Sequence, residues 1–229
     1  MKRLKVHCIF PSSPWLADSK TNVPLGALYI AAMLREAGHE VFVTSRLNYR
    51  ASDPYNWSDQ ALAADVHMFG FCSPQFNEVI DMCADLRHKC PGALIIAGGP
   101  HPSYEPDECI TARDQFKHHP NVALKARRDY SQGDGVKVFD TVVVMEGEPV
   151  IFDILNDWEN GCLKPAYYGD KKSLPNLDVV PFPAWDLMPQ DHIHNDGKAV
   201  MKTQYFPNAK YPDASTGVMS IIGTRGCTY

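Results

Sequence analysis

Short apolar runs alternate with longer amphipathic segments over the first two-thirds of the chain. The runs are rich in β-branched and aromatic residues, as buried strands are, and they occupy residues 5–10, 41–43, 66–71, 93–97 and 141–145. Apolar residues recur at helical spacing after Pro24, over 79–90 and after Pro149, and Ser58 could cap a short helix over 59–64. The alternation predicts an α/β domain with a doubly wound, five-stranded parallel sheet.

Four loops follow the carboxyl ends of these predicted strands. In doubly wound sheets, ligands bind beyond those ends, near the point where the strand order reverses. We therefore expect the ligand-binding residues to lie in the loops at 11–23, 73–77, 98–104 and 146–148.

Two segments depart from the alternation. Residues 104–140 form a polar insertion, which is either a solvated excursion or a lid over a ligand. After residue 161 the chain becomes rich in proline, which indicates a linker that packs its aromatic side chains against something, and a new strand is predicted at 218–222. The predicted division is a first domain over 1–161, a linker over 162–217 and the start of a second domain over 218–229.

Composition narrows the functional class. The net charge of −5 lacks the basic excess of nucleic-acid-binding proteins, so we expect no nucleic-acid partner. The first ten residues contain too short an apolar run for a signal peptide or membrane helix. We expect a cytoplasmic protein with no membrane span.

The seven cysteines form no C-x-x-C pair and are odd in number. This pattern favours reduced thiols over a disulfide framework. Cys8, Cys72, Cys83 and Cys90 are predicted to be buried and inert, whereas Cys227 follows Gly226 near the last residue of the sequence.

Several well-known sites are absent from the sequence. It has no G-x-G-x-x-G after a strand, no phosphate-binding P-loop and no G-x-S-x-G. Gly98 and Gly99 could let backbone approach a bulky ligand or could simply form a turn, and Glu148 could cap a helix. Residues 65–70 match D-x-H-x-x-G, but His67 falls within a predicted strand and is expected to be a packed histidine rather than a metal ligand.

Six short motifs follow one another along the chain. They are PLGALYIA at 24–31, GFCS at 70–73, GGPHP at 98–102, EGEP at 146–149, LDVVPFPAWD at 177–186 and GTRGCTY at 223–229. Their order and spacing resemble those of the cobalamin-binding radical S-adenosylmethionine enzymes. The resemblance covers nearly the whole chain except 104–140 and 190–216.

This resemblance implies a Rossmann- or flavodoxin-like domain that holds cobalamin at the carboxyl edge of its sheet. Its motif positions imply a set of cofactor-contacting residues: Leu25, Gly26, Ser73, Pro74, Gly98, Gly99, Pro100, His101, Glu146, Gly147 and Glu148. We expect no protein histidine on the cobalt, and His101 is the one loop histidine that could contradict this.

The family's second domain binds a [4Fe–4S] cluster and S-adenosylmethionine through a C-x3-C-x2-C loop. Cys227 matches the first of the three cysteines, and the sequence ends before the other two. We therefore expect the cobalamin-binding portion of a methyltransferase-type enzyme, with cluster and S-adenosylmethionine only in a longer form that includes the downstream domain. The alternatives are a stand-alone cobalamin carrier or interaction module without catalysis, and a flavodoxin-like domain for a flavin or nucleotide.

Overall fold

The computed structural model of the chain describes residues 2–13, 24–46, 55–114, 136–169 and 180–188. Six strands form one parallel sheet: β1 (Lys5–Phe10), β2 (Glu40–Ser45), β3 (Val66–Gly70), β4 (Leu94–Gly98), β7 (Thr141–Met145) and β8 (Ala166–Gly169). Two further strands, β5 (Arg113–Asp114) and β6 (Val136–Lys137), pair antiparallel with each other. The predicted α/β class is confirmed.

Helices connect the strands of the sheet. They are α1 (Leu25–Glu36), α2 (Asp59–Leu62), α3 (Phe76–Lys89), α4 (Pro100–Tyr104), α5 (Pro106–Thr111) and α6 (Ile151–Glu159). The predicted cap of α2 is present, because the Ser58 hydroxyl accepts a hydrogen bond from the Ala61 N–H at 3.2 Å. Among the described residues, no helix combines the length and apolarity that crossing a membrane requires.

The strand order is β2-β1-β3-β4-β7-β8. From β1 the chain moves to β2 at one edge and then returns to the other side of β1 for β3. The direction of winding therefore reverses between β1 and β3, and the carboxyl ends of both strands open onto the same edge.

Each face of the sheet carries its own apolar core. On one face, α1 and α6 cover alternate strand residues such as Val6, Cys8 and Ile96. On the other face, α3 covers residues such as Ile9 and Phe69. Because both faces of the sheet are buried, the strands appear in the sequence as continuous apolar runs rather than as an alternation of apolar and polar residues.

The sheet is larger than the sequence predicted. Its sixth strand, β8, pairs parallel with β7 and lies within the stretch expected to be linker. The tetrapeptide that forms it is too short, and follows Pro165 too closely, to stand out as a strand. The predicted five-stranded count is therefore corrected to six.

The predicted insertion at 104–140 is partly integrated into the core. Cys109, Ala112, Val138 and Phe139 at its two ends are fully buried beneath α3. The expectation of a solvated excursion is therefore wrong for the two ends of this segment. Residues 115–135, between them, lie outside the described residues.

Residues 180–188, at the end of the Pro-rich stretch, dock on α1. The Ala184 N–H donates to the Leu28 carbonyl at 3.1 Å, and Asp186 pairs with Arg35 through contacts of 2.6 and 3.1 Å. Trp185 packs against the core as expected for the linker aromatics, whereas Phe182 is 86% exposed. The predicted strand at 218–222 lies outside the described residues, and the boundaries of the predicted domains remain predictions.

Two histidines on the adjacent strands β1 and β3 face each other. The Nδ1 atoms of His7 and His67 are 3.1 Å apart, and His7 Nε2 is 2.8 Å from the Thr44 hydroxyl. Both rings are fully buried. Burial, with a smaller contribution from His67, lowers the pKa of His7 to about 3, and burial with Arg87 nearby lowers that of His67 to about 4. His67 is thus a packed strand histidine, as expected.

We predict that this pair makes the fold sensitive to acid. Between pH of about 6.5 and 4 the unfolded chain binds protons on both histidines and the folded chain does not, so stability falls as the pH falls. Each histidine contributes a slope of about 1.4 kcal/mol per pH unit to the free energy of unfolding. Urea unfolding over this range should show a shallower slope for His67→Gln than for the unchanged protein. Equal slopes in the two proteins would contradict the assignment.

Candidate binding site at the carboxyl edge of the sheet

A cavity of about 590 Å³ lies at the carboxyl ends of β3, β4 and β7. It separates the sheet from the first turns of α1 and α6. Alternate residues of three neighbouring strands line it, namely Met68, Gly70, Ile96, Gly98, Val143 and Met145. Because side chains alternate across a strand, these residues share the face that α1 and α6 cover, and the cavity is a gap in that apolar layer.

Gly99 allows β3 and β4 to end in close backbone contact. Its φ is +96°, and a Cβ atom there would lie 2.8 Å from the Phe71 nitrogen. The Phe71 N–H donates to the Gly98 carbonyl and the His101 N–H to the Phe71 carbonyl, both at 3.1 Å. The turn therefore explains by itself why residue 99 is a glycine, without a ligand.

Gly26 and Gly70 have a different environment. A Cβ atom at either position would meet no atom within 4 Å, and both residues line the cavity. Gly26 also lies in the first turn of α1, where glycine is a poor helix former. Packing of the protein alone gives no reason for these two glycines, whereas close approach of a ligand does.

The predicted far wall, residues 146–148, is in place. Glu146, Gly147 and Glu148 all line the cavity. A Cβ atom on Gly147 would lie 3.2 Å from the end of the Ile30 side chain of α1, so the loop approaches the helix closely and a larger residue would require the Ile30 side chain to shift. The Glu146 N–H donates to the Gly169 carbonyl at 3.2 Å, which ties this wall to the end of β8.

A second cavity of about 210 Å³ adjoins the first on the side of β1. The two share Gly26, Ala27, Gly70, Gly99 and Pro100 in their walls. The smaller cavity also has polar lining residues, Ser13, Cys72 and Gln75. Together the cavities span the point between β1 and β3 where the winding reverses.

A buried polar network fixes the wall of the smaller cavity. Glu78 accepts hydrogen bonds from the Ser12 N–H at 3.0 Å and the Ser12 hydroxyl at 2.5 Å, and it pairs with Arg46 at 3.1 Å. Gln75 donates to the carbonyl of Ser12 at 3.0 Å and accepts from the Cys72 N–H at 2.8 Å. The loop after β1 is thereby fastened to the loop after β3.

The structure brings seven of the predicted site residues to the larger cavity: Gly26, Gly98, Gly99, Pro100, Glu146, Gly147 and Glu148. Leu25, Ser73, Pro74 and His101 are not among the residues that line either cavity. They are neighbours of the walls rather than part of them.

His101 is packed inside the protein. It is 4% exposed, and its ring lies 4.5 Å from that of Phe76. Its Nδ1 is 3.1 Å from the Ser73 hydroxyl, and its Nε2 is 3.4 Å from a Glu108 carboxylate oxygen. Burial lowers the pKa of His101, and the nearby carboxylates of Glu108 and Glu105 oppose that shift.

The cysteine prediction is wrong at one of its four positions. Cys8, Cys83 and Cys90 are buried, but Cys72 is exposed. It lies two residues after the last residue of β3 and lines the smaller cavity, where partial burial still raises the pKa of its thiol. Because β3 ends at Gly70, the burial expected of a strand residue does not extend to Cys72.

Gly70 and Met145 line the cavity but were not among the predicted site residues; Ser103 and Tyr104 were not named either, although they lie in the predicted loop at 98–104. The two-residue strand period could have identified Gly70, because it shares a face with Met68. Nothing in the sequence signals the conformation of Met145, whose φ is +70°.

No group of three or more metal-binding side chains occurs in the part of the chain that the structure describes. Cys227, the predicted first cluster ligand, lies outside that part.

Comparison with protein families agrees with this architecture. Residues 20–118 match the family model of the B12 binding domain. The match includes α1 to β5, and with them the open glycines and the Gly98–Gly99 turn, but not the wall at 146–148. It covers less than half of the 229 residues. A search of curated proteins finds no match.

We predict opposite outcomes for alanine at two glycines of the site. Gly99→Ala should lower the free energy of unfolding by about 1–3 kcal/mol, because φ is positive and the new methyl group meets the backbone of Phe71. Gly26→Ala should change it by about 0.5 kcal/mol or less, since its surroundings are open. Urea unfolding of both variants checks this, and equal losses would show that the site is closed around Gly26.

Proposed function

We propose that the cavity at the carboxyl edge of this sheet binds cobalamin. The observation that carries the proposal is the pair of glycines, Gly26 and Gly70, that face open space across an apolar cavity inside a segment matching the B12 binding domain. A cavity of about 590 Å³ is of the size that binds an organic cofactor group.

The residues present fit such a group. The apolar strand residues Met68, Ile96 and Val143 suit a flat aromatic ring such as that of the cobalamin nucleotide tail, and Gly26 and Gly70 leave room for it on both sides. Glu146 and Glu148 bring acceptors to the far wall. When bound, cobalamin supplies a cobalt centre that can carry a methyl group.

We propose that the protein binds cobalamin without a histidine on the cobalt. None of the described histidines, at 7, 39, 67, 88 and 101, lines either cavity. His101 is enclosed by Phe71, Phe76 and Ser73 rather than directed into the site.

Titration with hydroxocobalamin, followed by absorbance and by retention after desalting, tests the binding proposal. Gly26→Leu should weaken binding about tenfold or more, because its side chain would occupy the cavity. Gly92→Leu is the matched control: Gly92 also has nothing within 4 Å, but it lies in the exposed turn after α3. Equal affinities of the unchanged protein and Gly26→Leu would place the cofactor elsewhere, and no retained cobalamin would overturn the proposal.

We further propose that this domain serves a radical S-adenosylmethionine enzyme that methylates an unactivated centre of its substrate. The support is the order of motifs that ends with Gly-Thr-Arg-Gly-Cys at 223–227. Here the [4Fe–4S] cluster and S-adenosylmethionine would belong to a downstream domain, with Cys227 as one cluster ligand.

The nucleic acid beyond codon 229 provides the corresponding prediction. We expect cysteine codons four and seven positions after that of Cys227. The full-length protein, reconstituted without oxygen, should then show the visible absorbance of an iron–sulfur cluster, and Cys227→Ala should lose it. A stop codon directly after Tyr229 would instead favour the cobalamin carrier.

A further inference from the structure

Met145 has an unusual backbone conformation at the edge of the cavity. Its φ of +70° is the only positive value at a non-glycine position among the described residues. It is the last residue of β7, lines the cavity and is 52% exposed. A side chain in this region is strained, and such strain persists only where surrounding contacts hold it.

One hydroxyl group contacts this strained residue directly. Ser103 Oγ accepts a hydrogen bond from the Met145 N–H at 2.9 Å and donates one to the Gly99 carbonyl at 2.8 Å. Gly99 ends the β4 side of the cavity and Met145 ends the β7 side. A single side chain of α4 therefore connects two walls of the site.

A serine hydroxyl can form both of these hydrogen bonds, which together we call the Ser103 bridge. A serine hydroxyl has one hydrogen to donate and lone pairs to accept, so both contacts can form at once. Alanine would leave the Met145 N–H without this acceptor, whereas threonine retains the oxygen. The bridge can therefore be removed and restored with small changes in side-chain size.

We propose that Ser103 is a positioning residue that holds Met145 in its left-handed conformation, so that the Met145 side chain contacts the ligand at the mouth of the cavity. The inference rests on the proposed binding of cobalamin. It adds to that proposal a specificity-determining side chain, Met145, and the residue through which it is held.

Hydroxocobalamin affinity tests the first part of the inference. Ser103→Ala should weaken binding about tenfold, equivalent to about 1.4 kcal/mol, and Ser103→Thr should restore it to within about threefold of the unchanged protein. Ser58→Ala is the matched control. It removes another serine that accepts from a backbone N–H, but at α2 and away from the cavity, so it should leave affinity unchanged.

Amide hydrogen exchange of the ligand-free protein tests the bridge itself. The Met145 N–H should exchange faster in Ser103→Ala and at its original rate in Ser103→Thr, with Ser58→Ala unchanged at that position. An equal rate in the Ala variant would overturn the inference whatever cobalamin does.

Met145→Gly separates positioning from a general loss of structure. Glycine adopts positive φ without strain, so this variant should unfold at the same temperature as the unchanged protein or a higher one. It should nevertheless bind hydroxocobalamin more weakly, because the side chain at the mouth is gone. If it binds as tightly as the unchanged protein, Met145 makes no useful contact and the inference fails.

Failure of cobalamin binding and failure of the Ser103 bridge give distinguishable results. No binding by the unchanged protein overturns the proposed function and, with it, the role of Met145. Binding by the unchanged protein that is equally tight in Ser103→Ala overturns the role of Ser103 alone.

Discussion

The close approach of backbone at the ends of β3 and β4 is the constraint on which the site depends. The Phe71 N–H reaches the Gly98 carbonyl, and the His101 N–H reaches the Phe71 carbonyl, only because Gly99 has no side chain between them. This contact turns the chain sharply into α4, whose Pro100 and Ser103 then form part of the cavity. Without it, the loops after the two strands would not meet at a common wall.

Glycines at this edge have different roles although the sequence presents them alike. Gly99 is required by its contact with the Phe71 backbone, and Gly147 lies close to the Ile30 side chain. Gly26 and Gly70 make no such contact, since the space around them is open. This distinction separates residues that build the cavity from residues that leave room in it, and it is the strongest structural argument for a ligand.

Polar contacts hold the rest of the edge together. The buried Glu78 joins the loop after β1 to Arg46 at the end of β2, and Ser103 joins the ends of β4 and β7. Breaking one partner of a buried ion pair is strongly destabilising, because it leaves the other charge without compensation. The apolar core therefore fixes the strands, while a small number of polar side chains fix the loops that the strands present.

The sequence by itself determined the class of the fold, the position of its main strands and part of the cavity wall, because buried strands and helix faces impose local periodicities. It also placed the loops at 98–104 and 146–148 at one edge, since parallel strands end together. Only the tertiary structure showed that β8 joins the sheet, that His101 is enclosed by Phe71 and Phe76, and that Cys72 faces a cavity. It alone showed that the Met145 N–H donates a hydrogen bond to Ser103 Oγ. These features depend on contacts between residues far apart in the chain, which no local pattern of residues encodes.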